Sequence, residues 1–175
     1  MKKKILISAA NGTIMPELIK YLKKSYYVIG TDSNEIGLAK EYCDEFYKSP
    51  NGNDIKFIKF LEKVGANVDM IFLFADEELD IISKNLSKLN KIQNKLILSE
   101  PKTIDICNDK IKFNKFFKNF KNINLPKFKK NKKNIIKPKI GRGSKNIFIT
   151  KNNKIINYFQ KDKNFIVQEF ISGKE

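Results

Sequence analysis

The interpretation of this chain depends on the segment Ile135-Ile136-Lys137-Pro138-Lys139-Ile140-Gly141-Arg142-Gly143-Ser144-Lys145. It also depends on a second segment, Val167-Gln168-Glu169-Phe170-Ile171-Ser172-Gly173-Lys174-Glu175. The first segment is predicted to form an apolar strand that carries a lysine and is followed by a glycine loop with basic side chains. The second reads as an apolar strand that ends in polar groups. Backbone N–H groups and cations of this kind are what a protein needs to hold phosphate groups.

The glycine loop carries the phosphate part of this hypothesis. Gly141 and Gly143 let the backbone expose successive N–H groups, while Arg142 and Lys145 add positive charge. Lys137 is placed to reach a phosphate as the lysine of a P-loop does. The G-x-x-x-x-G-K-[ST] pattern itself is absent, so this is not a P-loop. Because Gly-Arg-Gly-Ser is also a common turn sequence, an ordinary turn remains the alternative.

The last segment supplies a place for a purine. Its apolar strand runs into Gln168 to Ile171, a mixture of polar and apolar groups that suits the hydrogen-bonding edge and the ring face of adenine. Glu175 follows four residues later and could accept hydrogen bonds from ribose hydroxyls. The two segments together predict a nucleotide site.

The first hundred residues alternate between short apolar runs and amphipathic stretches, which predicts βαβ units and a mainly parallel sheet. We expect strands at 4–8, 26–31, 70–74 and 95–98, and helices at 13–24, 54–64 and 76–89. The fold class is therefore α/β, with a Rossmann-like parallel sheet first and a smaller α+β region with antiparallel strands second. The predicted domains are 1–102 and 103–175.

In the second region we expect a helix at 109–120, a polar connector at 122–134 and strands at 135–137, 147–150 and 165–171, separated by short turns. The helix carries four phenylalanines at helical spacing, which predicts a stripe facing the core rather than a cofactor contact. The connector includes a lysine cluster: Lys129, Lys130, Lys132 and Lys133.

Two segments of the first region lie where a predicted strand passes into a helix, the usual ligand-binding position of doubly wound sheets. One contains Asn11 and Gly12, which form either a tight turn or a substrate-contacting loop. It lacks the G-x-G-x-x-G spacing, so a dinucleotide is not expected there. The other contains Asp76, Glu77 and Glu78. Acidic groups in a first turn are stabilised by the helix dipole, and a carboxylate there could also face a ligand.

Charge and composition exclude several classes of function. The chain carries 15 lysines against 14 acidic residues in 1–100, a balance of +1, and 20 basic against 5 acidic residues in 101–175, a balance of +15. Arg142 is the single arginine. Because arginine is the preferred residue for contacts to phosphates and bases, this argues against a dedicated nucleic-acid-binding protein. There is no histidine, which excludes Ser-His and Cys-His nucleophiles, and Cys43 and Cys107 are read as ordinary thiols. No membrane association and a cytoplasmic location are expected.

Taken in order, these motifs resemble the ATP-grasp superfamily, in particular ligases similar to the large subunit of carbamoyl phosphate synthase. The matching elements are an N-terminal βα domain, the D-E-E-L run at Asp76, the Asp109-Lys110 pair that opens a helix, I-I-K-P with G-R-G-S, and Q-E-F-I-S-G-K-E. The shorter connector, and Gln168 where a glutamate is frequent, depart from the family pattern.

The resemblance implies an ATP site and possible substrate-side residues. Lys110 and Lys137 would contact phosphates, the glycine loop would cover them, and the last strand would hold adenine. The implied ATP contacts are Lys110, Lys137, Gly141, Arg142, Gly143, Ser144, Lys145, Gln168, Glu169, Phe170, Ile171 and Glu175. The possible substrate-side residues are Asn11, Gly12, Asp76, Glu77 and Glu78.

The resemblance also implies that the magnesium ligands and the catalytic arginine lie beyond Glu175, so no catalytic or metal-binding residue is assigned within this chain. The expected function is the N-terminal fragment of an ATP-dependent carboxylate-amine or carboxylate-thiol ligase that works through an acyl phosphate, with Mg²⁺ expected only in the complete enzyme. The expected partners are ATP and a small carboxylate. Two alternatives stay open: a non-catalytic nucleotide-binding subunit completed by a separate polypeptide, and a basic RNA-binding module.

Overall fold

A computed structural model of the chain describes residues 1–128 and 132–173. The chain divides into two compact units, Met1–Ile104 and Asp105–Glu175. The lysines at 129 and 130 and the proposed ribose contact Glu175 lie outside the described residues. None of the helices in the described ranges combines the length and apolar character needed to cross a bilayer.

The first unit is a parallel sheet with helices on both faces. Its strands are β1 (Lys3–Ile7), β2 (Tyr26–Asp32), β3 (Glu45–Lys48), β4 (Met70–Phe72) and β5 (Leu96–Ile97). Its helices are α1 (Met15–Leu22), α2 (Ala39–Tyr42), α3 (Lys56–Gly65), α4 (Asp76–Ser83) and α5 (Pro101–Asn108), the last of which crosses into the second unit. Two 3₁₀ turns, Leu86–Lys88 and Gln93–Lys95, precede β5.

The strand order is β3-β2-β1-β4-β5, with every pairing parallel. One face of the sheet packs on α3 and α4 through residues such as Phe57, Leu61 and Ile82, and the other packs on α1 and α2 through Met15 and Ile19. Burying an aliphatic or aromatic side chain of this size contributes about 1.5–3 kcal/mol. A sheet buried on both faces explains why its strands read as continuous apolar runs.

The second unit contains α6 (Lys110–Phe117), β6 (Asn134–Pro138), β7 (Phe148–Thr150), α7 (Asn153–Lys161) and β8 (Phe165–Glu169). Its strands form a three-stranded antiparallel sheet in the order β7-β6-β8. Both the parallel first sheet and the antiparallel second sheet confirm the predicted fold class.

The sequence prediction missed or misplaced several elements. Short turns are predicted between the strands where the structure has α7. Asn152 caps this helix by accepting from the backbone N–H groups of Lys154 and Ile155. The helix predicted over 76–89 ends at Ser83, and α2, β3 and α5 were not predicted. The aromatic helix does form, but its stripe is not core: no residue of α6 is buried.

Candidate functional site

The strand order of the first unit reverses between β1 and β4, because β2 and β3 lie on one side of β1 while β4 and β5 lie on the other. A crevice outside the carboxyl ends of the strands at such a reversal is the general ligand position of open α/β sheets. The loop after β1 holds Asn11 and Gly12, and α4 after β4 starts with Asp76, Glu77 and Glu78. The fold therefore places all five predicted substrate-side residues after these two strands.

Asn11 has a structural role in this unit. Its side-chain Nδ2 donates to the carbonyl oxygen of Asn34 at 2.6 Å, and its Oδ1 accepts from the N–H of Ala39 at 3.1 Å. Its own backbone N–H donates to Asp32 at 3.0 Å. The loop after β1 is thus tied to the segment after β2. Gly12 is exposed, and the turn bends through Ala9, whose φ is 48°.

Glu78 is the most perturbed acidic group of the crevice. Its side chain is buried and accepts a hydrogen bond from the hydroxyl of Ser8, which in turn accepts from the N–H of Phe74 at 3.0 Å. Burial raises the pKa of Glu78 to about 7, against the opposing effect of the Ser8 hydrogen bond, and the charges of Asp32 and Glu77 raise it further. Glu78 therefore joins the ends of β1 and β4 and exchanges a proton near neutral pH.

Asp76 and Glu77 share the first turn of α4 with Glu78 but differ in exposure. Asp76 is exposed and Glu77 is partly buried. Ala75 caps the helix without a side-chain hydrogen bond, so these acids supply the negative charge that the N-terminal dipole favours. Ser8 was not among the predicted site residues. The sequence signal that could have identified Ser8 is a hydroxyl side chain at the end of the first strand, next to the point where the strand order reverses.

In the second unit, the start of α6 is held at the end of β6. Asp109 caps the helix by accepting from the N–H groups of Ile111 and Lys112 at 2.8 and 3.1 Å. The N–H of Lys110 donates to the carbonyl oxygen of Lys139 at 2.9 Å, and its Nζ donates to the carbonyl oxygen of Gly141 at 3.0 Å. The first lysine of the helix is thereby fixed beside the glycine loop.

Lys137 lies on the sheet face that α6 contacts. Ile135 pairs with Gln168, and Lys137, two residues further, shares their face of the sheet. Gln168 in turn bonds to Asn114 of α6. Partial burial of Lys137 lowers its pKa, and the positive charge of Lys110 lowers it further. Two cations brought together away from water are unfavourable unless an anion lies between them, so the pair is suited to a phosphate group.

The glycine loop has the backbone that a phosphate-binding loop needs. Gly141 and Gly143 have φ values of 149° and 63°, and Ser144 and Asn146 have φ values of 54° and 57°. The loop with its cations Arg142 and Lys145 is exposed throughout. Successive residues in such conformations turn N–H groups toward a common anion. Nothing lies within 4 Å of a Cβ built at Gly143, so conformation rather than space requires glycine there.

The predicted adenine segment, 168–171, consists of the last two residues of β8 and the two residues after them. Gln168 is buried, and its Nε2 donates to Asn114 Oδ1 at 3.2 Å and to the carbonyl oxygen of Pro126 at 3.0 Å, so its amide fixes the fold. Glu169 donates its N–H to Lys127, and Phe170 donates its N–H to Lys133. Ile171 is exposed, so the apolar side chain past the strand is open to solvent.

The described residues bring together no group of three or more His, Cys, Asp or Glu side chains that could hold a metal ion. The candidate site of the second unit consists of the cations and backbone N–H groups described above.

Two family models match this chain. A model described as the PylC-like N-terminal domain matches residues 5–97, more than half of the sequence, and a model described as the ATP-grasp domain matches residues 107–175. The chain belongs to the ATP-grasp superfamily, with a PylC-like N-terminal domain. Comparison of this ATP-grasp chain with curated proteins finds no match.

Solved structures with the same fold include ATP-grasp ligases. The N5-carboxyaminoimidazole ribonucleotide synthetase from Thermotoga maritima is 21% identical, with a TM-score of 0.64, over 97% of this chain and 46% of that one. The Staphylococcus aureus N5-carboxyaminoimidazole synthetase, complexed with ADP, is 14% identical, with a TM-score of 0.70, over 99% and 49%. The L-amino acid ligase from Bacillus licheniformis is 15% identical, with a TM-score of 0.71, over 98% and 45%. This ATP-grasp chain thus spans just under half the length of each.

Proposed function

We propose that this chain is the ATP-binding N-terminal half of a ligase that phosphorylates a carboxylate with ATP and joins the product to an amine or a thiol. In such a reaction a carboxylate oxygen attacks the γ-phosphorus and ADP leaves, and the nucleophile then displaces phosphate from the acyl phosphate. The solved structures that share this fold include ligases and synthetases, one of them in complex with ADP. The narrower likeness to carbamoyl phosphate synthase rests on the order of the motifs.

The observation that carries the proposal is the convergence of Lys110 and Lys137 beside the glycine loop. Lys110 is fixed by its hydrogen bond to Gly141, and its charge lowers the pKa of Lys137. A nucleotide triphosphate would remove the repulsion between the two lysines. Arg142, Lys145 and the N–H groups from Gly141 to Ser144 would add contacts from the loop. Mg²⁺, bound by residues of the complete enzyme, would neutralise phosphate charge as the phosphoryl group moves.

The adenine would lie against the end of β8. Because the side chain of Gln168 is engaged with Asn114 and Pro126, we assign the adenine contacts to the backbone and apolar groups of Glu169, Phe170 and Ile171. Glu175 remains the proposed ribose contact. In the first unit, the loop with Asn11 and Gly12 and the acidic turn from Asp76 to Glu78 would border the acceptor substrate. We assign the protein to the cytoplasm.

Isothermal titration with ATP and Mg²⁺ tests this proposal. We expect the chain alone to bind ATP weakly, because half a site lacks one wall and the metal ligands. Lys137→Ala and Lys110→Ala should each weaken binding by roughly 10- to 100-fold, the range for a charged hydrogen bond. Lys151→Ala, an exposed lysine just after β7, is the matched control and should leave binding unchanged.

Three results would contradict the proposal. The first is an affinity that is unaffected by both lysine substitutions. The second is sub-micromolar affinity for ATP, which a half-site cannot provide. The third is tight binding of single-stranded RNA that falls steeply with salt and is insensitive to Lys137→Ala, which would favour the RNA-binding alternative.

A further inference from the structure

A cavity of about 620 Å³ lies in the second unit, between the C-terminal half of α6 and the segment 123–127. Cavities that bind small molecules have volumes of about 300–1,000 Å³, so its size suits a small organic molecule. Lys118, which lines the cavity, follows Lys110 by eight residues. Because each helical residue rises 1.5 Å, the two lysines are about 12 Å apart along the helix. The cavity is therefore at the other end of α6 from the lysine pair and the glycine loop.

Hydrogen bonds hold both walls of this cavity in place. The buried Gln168 donates from Nε2 to Asn114 Oδ1 of α6 at 3.2 Å and to the carbonyl oxygen of Pro126 at 3.0 Å. The N–H of Glu169 donates to the carbonyl oxygen of Lys127 at 2.9 Å. The end of β8 thus ties the helix to the segment 123–127. Because these bonds form the cavity as the unit folds, a ligand would bind without the cost of ordering its walls.

The charge of the lining favours an anion. The described residues that line the cavity include three lysines, Lys115, Lys118 and Lys127, and one carboxylate, that of Glu169. Three positive charges and one negative charge leave a net charge of +2. A phosphate monoester carries a charge of about −1.5 to −2 at pH 7, which balances this lining. Lysine ammonium groups bind phosphate oxygens as point charges and need no fixed fork geometry.

The cavity also has an apolar part. Ile123 and Leu125 line it, and the side chain of Leu125 is partly buried. Inorganic phosphate would leave these side chains in contact with water, whereas an apolar group attached to the phosphate would cover them. We infer that the cavity binds a small soluble phosphate monoester that carries an apolar group, at a site separate from the ATP site.

Titration calorimetry of the intact chain with 1-naphthyl phosphate tests this inference. Inorganic phosphate and 1-naphthol are the matched probes, because each lacks one of the two groups. 1-Naphthyl phosphate should bind one-to-one and at least about tenfold more tightly than either. Equal affinity for inorganic phosphate, or no binding of 1-naphthyl phosphate, would overturn the inference.

Competition with ATP tests whether the two sites are separate. Glu169 lines the cavity and is also a proposed adenine contact, through its backbone. Millimolar ATP with Mg²⁺ should leave the affinity for 1-naphthyl phosphate unchanged, because the lysines of the cavity are not those of the ATP site. Displacement of 1-naphthyl phosphate by ATP would place both ligands in one site and overturn the inference.

The double variant Lys115→Gln/Lys118→Gln removes two of the three cations. It should weaken binding of 1-naphthyl phosphate by at least about tenfold, because hydrogen bonds to charged groups are lost. Lys151→Gln/Lys154→Gln removes the same charge from exposed positions next to and on α7, and this control should leave the affinity unchanged. All four lysines are exposed, so circular dichroism should show both variants folded. Equal losses in the two variants would indicate general attraction to a basic chain and would overturn the inference.

A second measurement does not depend on a variant. Amide chemical-shift changes caused by 1-naphthyl phosphate should cluster at residues 114–118 and 123–127. Changes centred on the glycine loop, 141–145, would place the probe in the ATP site and overturn the inference. Vesicles of anionic phospholipid offer the same chemistry from a membrane. Cosedimentation with them that depends on Lys115 and Lys118 would overturn the assignment to a soluble ligand.

The outcomes separate this inference from the proposed function. Binding of 1-naphthyl phosphate that needs Lys115 and Lys118, in a chain that binds no ATP, would support the cavity site and refute the ATP site. ATP binding that needs Lys137, without binding of 1-naphthyl phosphate, would support the ATP site and refute the cavity site.

Discussion

The two units of this chain differ in how completely they bury their own apolar side chains. In the first unit both faces of the sheet are covered, and side chains such as Leu6, Phe57 and Leu61 are fully buried. Among the described residues of the second unit, only Ile136 and Ile156 are buried apolar side chains. The first unit has the core of an independent domain, whereas the second has the core of part of one.

The second unit also contains buried polar side chains. In the second unit, Asp109, Asn134 and Gln168 are buried and hydrogen-bonded. Asp109 caps α6 and Asn134 donates to Lys132, two residues away, whereas Gln168 joins β8 to Asn114 of α6 and to Pro126. Binding of a ligand to the folded form would add to the stability of a unit with so small an apolar core.

The largest expected effect comes from separating the units. Residues 1–108, which keep α5 whole, should unfold cooperatively when heated, because their core is closed. Residues 109–175 should show no cooperative transition, because little apolar area is buried. Thermal melts followed by circular dichroism and by calorimetry check both expectations. A cooperative transition of residues 109–175 alone would contradict this difference between the two units.

The next effect concerns Glu78 and pH. Its pKa in the folded chain is raised to about 7 from an ordinary value of 4.5, so the folded state favours the protonated form. The contribution of Glu78 to stability is therefore greatest below pH 4.5 and is lost as the pH rises to about 7. At pH 8, Glu78→Gln should increase the free energy of unfolding by roughly 2–3 kcal/mol, with little change near pH 5.

Urea unfolding between pH 5 and 8 measures this effect. Glu41→Gln, which replaces an exposed carboxylate on α2, is the control and should follow the wild-type pH profile. A Glu78→Gln profile parallel to that of the wild type would show that Glu78 does not carry the pH dependence of the first unit.

A smaller effect is expected in the glycine loop. Gly141→Ala and Gly143→Ala each place a side chain in a left-handed backbone conformation, at a cost of about 1–2 kcal/mol. Because the loop is exposed, the cost should appear as weaker ATP binding rather than as a lower melting temperature of the first unit. Asn153→Ala, at an exposed position at the start of α7, is the control and should leave ATP binding unchanged. If all three variants bind ATP with equal affinity, the glycine loop is not part of the ATP site.

Much of the first unit was predictable because its physical signals are local. Buried parallel strands read as apolar runs, and Pro16 in the first turn of α1 marks a helix start. The missed elements have weaker signals. β3 carries the mixed sequence Glu-Phe-Tyr-Lys at an edge of the sheet, and α5 begins at Pro101, a residue type that also occurs at breaks between elements.

The candidate site was predictable only in part. Spacing identifies Lys137 and the glycine loop, and Asp109 is a recognisable cap, but no local rule brings Lys110 to Gly141 across 31 residues. The burial of the Gln168 amide and the exposure of the phenylalanine stripe of α6 also depend on tertiary packing. The helical spacing of the phenylalanines shows that they share a side of α6, but not whether that side faces the sheet.

Hydrogen–deuterium exchange of the intact chain, with and without millimolar ATP and Mg²⁺, shows whether the lysine pair and the glycine loop hold the nucleotide. If they do, ATP should protect the second unit at the start of α6, at the end of β6 and in the glycine loop. Lys137→Ala should abolish this protection without altering exchange in the first unit. Protection confined to the crevice after β1 and β4, or protection that persists in Lys137→Ala, would contradict this assignment.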